Sequence, residues 1–300
     1  MSNVTTKPSF NVMLQTEGYK KMISSTIGDP ERARRFVASI GSAVANNKKL
    51  QECTPYTILS GALLGEALNL SPSPQLGHYY LVPFEKKQKN PETNKWEVAE
   101  TNATFILGYK GYIQLAIRSG QYQDIDVIEV KEGEFIGRNS TTGKLEFNFY
   151  TNESERKDKK IIGYLSYLEL NNGFRKSLFM TKDDMIDYAD EYSPAFIKKG
   201  YELFIAGKVK ESDMYKYSSH WYQNFDSMAK KTMLRQLISK WGIMSIDMQN
   251  AFERDNTFAD EKGNYYYPET IDDSKLIETK IEEQKQDVEK APKQVDMNEL

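Results

Sequence analysis

Residues Trp221–Trp241 read WYQNFDSMAKKTMLRQLISKW, and the rest of the chain is organised around them. The stretch holds neither proline nor glycine and is followed at once by Gly242. It therefore predicts one helix of 21 residues closed by a C-terminal glycine. With successive residues about 100° apart, Trp221, Phe225, Met228, Ala229, Met233 and Leu237 share a broad apolar face, which Leu234, Ile238 and Trp241 widen. One polar stripe remains, made of Asn224, Ser227, Lys231 and Arg235, with two cations and no acid. A helix so apolar belongs mostly inside. Its open stripe is either the solvated edge of a core helix or an edge turned towards a polyanion.

Working outward, a second acid-free stripe lies upstream, within a stretch that has no acid at all. No Asp or Glu occurs from Thr101 to Gln123. After Gly108 the helix pattern GYKGYIQLAIRSG turns Ile113, Ala116 and Ile117 inward and repeats Lys110, Gln114 and Arg118 on another face. Between His78 and Leu107, two aromatic and branched runs flank EKKQKNPETNKWE, with Asn90-Pro91 as the turn. That is the pattern of a long β-hairpin. Its tip carries Lys86, Lys87, Lys89 and Lys95, either a soluble edge or an arm for a phosphate backbone.

Two helices precede the hairpin. Asp29-Pro30 and Thr54-Pro55 each supply an N-cap and a first-turn proline. They open helices to about Asn46 and Leu70. In the second, Gly61 and Gly65 lie one turn apart and predict close packing against another backbone. Beyond Ile125 the period falls to two, and strands are expected over 126–131, 144–150, 161–170 and 174–180, with a hairpin turn at Asn171-Asn172-Gly173. Lys176 enters the returning strand. Thr181–Asp184 resembles a capping box for a helix over 185–190, and Lys198 sits in a polar connection.

The organisation expected is an N-terminal helical region over 1–75, an α+β core over 76–256 and an acidic flexible tail over 257–300. The tail has 12 acidic and 6 basic residues, a net charge of −6, against 34 basic and 31 acidic in the body. Its thin apolar stripe of Ile271, Leu276, Ile277, Ile281 and Val288 amounts to a marginal helix. At 39% hydrophobic residues the chain has ample material for a core. The lone Cys53 excludes an internal disulfide framework. No signal-like start or membrane-length apolar run is present, so a cytoplasmic protein is expected.

Searches for catalytic constellations fail. Gly137 and Gly143-Lys144 have the wrong spacing for a phosphate loop and are followed by Leu145. His78 and His220, the only histidines, stand in no metal spacing, and G-x-S-x-G is absent. Asp183-Asp184 and Asp124/Asp126 are explained by a helix cap and a strand end more simply than by a two-metal site.

The blocks LGYKGYIQLAIRSG at 107–120 and FDSMAKKTMLRQLISKW at 225–241 resemble the two signature blocks of the phage RecT family of single-strand annealing proteins, and NLSPSPQLGHYYLVPF at 69–84 resembles a third. The resemblance implies helices packed on a small antiparallel sheet with a long β-hairpin, similar to the annealing-recombinase core. It also implies an ATP-independent activity; no cofactor, metal-ligating residue or catalytic residue is expected. Such proteins bind single-stranded DNA in an oligomer groove, ring or filament, and pair it with a complementary strand into annealed duplex. Expected partners are an exonuclease and the host single-strand binding protein, in a bacterial cytoplasm. Carried onto this chain, the groove is lined by Lys110, Gln114, Arg118, Asn224, Lys231 and Arg235. Charge adds Lys176 and Lys198, with Lys86, Lys87 and Lys89 touching DNA or a neighbouring subunit. A strand-coating protein without annealing activity and, more remotely, a metal-dependent nuclease are the alternatives.

Overall fold

The computed structural model describes residues 9–193 and 195–267. These fall into two compact units. The larger runs to Thr181 and resumes at Asp226, and the smaller spans Lys182–Phe225. The architecture is mixed α+β with small antiparallel sheets, as the sequence predicts.

The larger unit opens with α1 (Phe10–Met13), α2 (Glu17–Ile27), α3 (Pro30–Ala45), α4 (Lys48–Gln51) and α5 (Pro55–Ala67). Asp29 caps α3 by accepting from the Arg32 amide, as the Asp-Pro pair demands. The hairpin of β1 (Tyr79–Lys89) and β2 (Trp96–Leu107) follows. Gly61 and Gly65 face it. A Cβ on either would stand 2.7 Å from Leu81 or 2.3 Å from the Tyr79 ring, so α5 lies on β1 closer than any larger residue allows. Ala103 of β2 shares one core with Phe36, Ile40, Ile58 and Leu59. The Thr54 amide also donates to Thr101 O at 2.7 Å. Of the N-terminal helices, α4 and α5 reach the hairpin, and α5 lies on it through Gly61 and Gly65.

Next come α6 (Tyr109–Arg118), β3 (Tyr122–Lys131), β4 (Phe135–Arg138), β5 (Leu145–Phe147), α7 (Glu153–Lys157), β6 (Ile161–Leu170) and β7 (Arg175–Thr181). Strands β3, β6 and β7 form one sheet in that order, and β4–β5 is a separate hairpin. The expected meander is therefore interrupted, with Phe135 of the insert stacked 4.7 Å from Phe179 of β7 and Phe147 edge-on to it at 5.5 Å.

The smaller unit contains α8 (Lys182–Tyr192), α9 (Lys198–Ile205), a 3-10 helix (Glu211–Tyr217) and α10 (His220–Gln223). Phe196, Tyr201, Trp221, Tyr222 and Phe225 cluster at its centre with ring separations of 4.9–6.5 Å. Lys198 begins a helix and does not lie in a loop. The long helix is likewise two elements, α10 and then α11 (Phe225–Trp241). Asn224 breaks it at φ −141°, ψ 49°, since Asn competes for local hydrogen bonds outside helical geometry. Asp226 then lies in the first turn of α11 and accepts from the Tyr164 hydroxyl at 2.5 Å.

The larger unit closes with α12 (Ile246–Arg254), β8 (Phe258–Ala259) and β9 (Tyr265–Tyr266). Thr257 bridges Phe105, and both Thr257 and Ala259 are buried. The first residues of the expected tail thus belong to the fold, while its thin apolar stripe lies outside the described residues. Among the described residues no helix is long and apolar enough to cross a membrane.

Candidate nucleic-acid interface

Helix α6 starts against the turn that precedes β1. A Cβ on Gly108 or Gly111 would lie 2.2 Å from the carbonyl oxygen of Gly77 or His78, so the GYKG spacing lets two backbones touch. Lys110 is exposed, and no carboxylate among the described residues pairs with it. Its Cδ and the Tyr80 hydroxyl close over Gly77, within 3.5 and 3.0 Å of where a Cβ would stand. His78 accepts from the Ser71 amide through Nδ1. Burial, then the positive charges of Arg118 and Lys110, hold its pKa below the ordinary 6.5. Lys230 lies 5.1 Å over the Tyr109 ring and pairs with Glu129 at 3.0 Å. The start of α6 is therefore a basic surface flanked by aromatic rings.

Arg118 is also exposed, but its guanidinium donates to Leu68 O at 2.6 Å and Asn69 O at 2.9 Å. It caps the carbonyl end of α5, where a cation is favoured. Gln114 is half-buried. Ile117, expected inside, is 56% exposed.

The α11 stripe departs furthest from expectation. Asn224 and Ser227 are exposed, but Lys231 is buried and Arg235 partly so. Both meet Asp255, just beyond α12. Its buried carboxylate accepts from the Leu107 amide at 2.9 Å, the Tyr112 hydroxyl at 3.0 Å, Lys231 Nζ at 2.8 Å and Arg235 at 3.1 Å. Arg235 donates to the Tyr112 oxygen as well. Burial pulls the Lys231 pKa down against the pull of Asp255. The half of the stripe read as a wet edge is an internal ion-pair network joining β2, α6, α11 and α12. Tyr79 and Tyr112, at 1% and 0% exposure, are core residues and present no face to a base.

Lys176 is exposed on β7, 4.9 Å from the Trp241 ring. Its neighbour Arg175 is paired with Glu169 at 2.7 Å. Lys198 pairs with Asp187 at 2.5 Å within the smaller unit, which also holds Asn224. Lys86 and Lys89 are exposed at the hairpin tip, yet Lys86 stands opposite Glu100 in register and Gln88 opposite Glu97. Glu85, Glu92, Glu97 and Glu100 balance the four tip lysines, so the tip carries no net charge. The sequence reading missed Asp255, which no local period marks, and Tyr80 and Lys230, which only the fold brings beside Lys110 and Tyr109.

Residues 34–273 match the RecT family. The chain belongs to the RecT family. It is 34% identical over 246 residues to the uncharacterized protein YqaK of Bacillus subtilis strain 168, a match covering 82% of this chain and 72% of that protein. It is 25% identical over 236 residues to protein RecT of Escherichia coli K12, with 79% and 76% covered. The RecT match takes in α6, α11 and Asp255 together. The acid-free surface and the internal network that supports it thus fall within one family unit.

Proposed function

We propose that this RecT-family protein binds single-stranded DNA through its phosphates and anneals it to a complementary strand without ATP. The observation that carries this is the family match across 34–273, which contains both helical blocks and their acid-free stripes. Lys110, an exposed cation with no carboxylate partner among the described residues, supports the phosphate contact. Neutralising phosphates releases counterions and gives affinity that does not depend on base identity. Bases left outward then test complementarity by pairing, and no covalent bond changes. Lys110, Gln114 and the remaining donors of Arg118 make the contact on α6, with Lys176 on β7. Asn224 and Lys198 are separate candidates for strand contact within the smaller unit. Arg235 offers its exposed edge, and Lys231 acts through Asp255 as a positioning residue. Several copies assembled as a ring or filament extend the surface along the strand. A partner exonuclease supplies that strand, and the host single-strand binding protein is the competitor for it.

The test mixes complementary dye-labelled strands with the protein, without nucleotide triphosphate, and follows duplex formation by energy transfer. Accelerated pairing is expected. Strands protected from a nuclease but not paired would make the protein a coating protein. Cleavage of a labelled strand on adding Mg²⁺ would make it a nuclease.

A further inference from the structure

Helix α11 ends in an exposed basic and aromatic cluster that the family blocks do not explain. Trp241 is half-buried, and two ammonium groups approach its ring. Lys176 from β7 stands 4.9 Å from the centroid and Lys240, on the same helix, 5.8 Å. Both lysines are exposed, and no carboxylate among the described residues pairs with either. Adjacent Arg175, by contrast, is neutralised by Glu169. The backbone next to the ring is also tied down. The Tyr122 hydroxyl at the start of β3 donates to Ile243 O at 2.9 Å, pinning the chain just beyond the helix. Phe174 and Ile243, each two residues along the chain from a member of the cluster, are 41% exposed.

An indole with two cations that no described acid pairs matches one ligand chemistry closely, a nucleotide within a strand. Its base stacks on the ring while the flanking phosphates take the ammonium groups. A cation over an exposed ring is held weakly, and a stacked base is held more strongly. Exchanging the ammonium from the ring face to a phosphate therefore favours the bound state. We infer that Trp241, Lys176 and Lys240 form a stacking clamp that holds one nucleotide of single-stranded DNA, without preference for its base. This rests on the strand-binding reading above and adds a base contact to the phosphate contacts proposed there.

The experiment uses the full chain and two probes of equal length, an oligothymidylate and an abasic deoxyribose-phosphate strand. Indole fluorescence is followed in wild type and Trp241→Phe, and affinity by anisotropy in wild type, Trp241→Ala and Lys176→Gln/Lys240→Gln. The oligothymidylate should quench the wild-type signal, and most of that quenching should vanish in Trp241→Phe, where a ring remains to stack. Trp241→Ala should lose about tenfold in affinity for the oligothymidylate and little for the abasic strand. Lys176→Gln/Lys240→Gln should weaken both and reduce the salt dependence of both. Quenching that survives in Trp241→Phe, or lysine variants that bind both probes like wild type, would overturn the clamp, and neither readout depends on Trp241→Ala folding. In those outcomes wild type still binds strands, so the general reading stands. Wild type binding neither probe would overturn both.

Discussion

Lys231 Nζ lies 2.8 Å from Asp255 Oδ1, and their side chains are 7% and 0% exposed. This pair converts the most cationic turn of α11 from a surface into an internal tether. Asp255 accepts four hydrogen bonds, from Leu107, Tyr112, Lys231 and Arg235. A carboxylate taken out of water is tolerated when its lone pairs are filled in this way.

Removing one partner of a buried, satisfied pair is expensive. Asp255→Ala strands four donors and should cost about 3–5 kcal/mol in urea unfolding. Lys231→Met leaves three donors on the carboxylate and should cost about 2 kcal/mol. If Lys231 positions and does not touch DNA, the folded Lys231→Met protein keeps the wild-type salt dependence of strand binding. A fully stable variant with a flattened slope would return Lys231 to the DNA surface.

Lys110 and Arg118, one face of one helix, should part company in their effects. Lys110→Ala removes an exposed cation, so the melting temperature should hold while the log–log salt slope flattens by about 0.7 per subunit on a single strand. Arg118→Ala also strips the carbonyls of Leu68 and Asn69, costing about 1 kcal/mol. Equal losses of stability in the two variants would contradict this division.

The acidic tail is separable only beyond β9, the last strand among the described residues. Cutting at 257 would remove the Thr257 bridge to Phe105 and the β8–β9 pair, and should destabilise the protein. Ending the chain at 267 removes 10 acidic and 5 basic residues and should leave the melting temperature unchanged. Strand binding at low salt should tighten, because a competitor of the phosphates is gone. Weaker binding after the shorter deletion would show that the tail supports contact with DNA.

Glu134 gives a pH dependence with a definite sign. Burial alone would raise its carboxyl, but the Arg156 guanidinium at 2.6 Å and the Lys131 amide hold it below the ordinary value of 4.5. A depressed folded pKa contributes stability above the unfolded value and loses it as pH falls through the folded one. Urea midpoints should be level near neutrality and fall below about pH 4.5. Arg156→Gln should start lower and respond less to acid. An unchanged acid response in that variant would remove Glu134 from the account.

Local sequence determined much of this protein. Asp29-Pro30 placed α3, the alternation at 161–170 placed β6, Asn90-Pro91 placed the hairpin turn, and Gly61 with Gly65 announced a close neighbour. Caps, periods and steric gaps act over a few residues, so they are legible without a partner. The family resemblance rested on equally local blocks. Tertiary structure alone decided what the cations do. A polar stripe on a helix reads the same whether it faces water or a buried acid, and the acid for Lys231 is 24 residues away on the far side of another helix. The same holds for Lys176 and Trp241, and for the residues after Asn256 that return to Phe105. Charge and burial at these positions are set by which distant segment arrives, and that is a property of packing and not of the pattern along the chain.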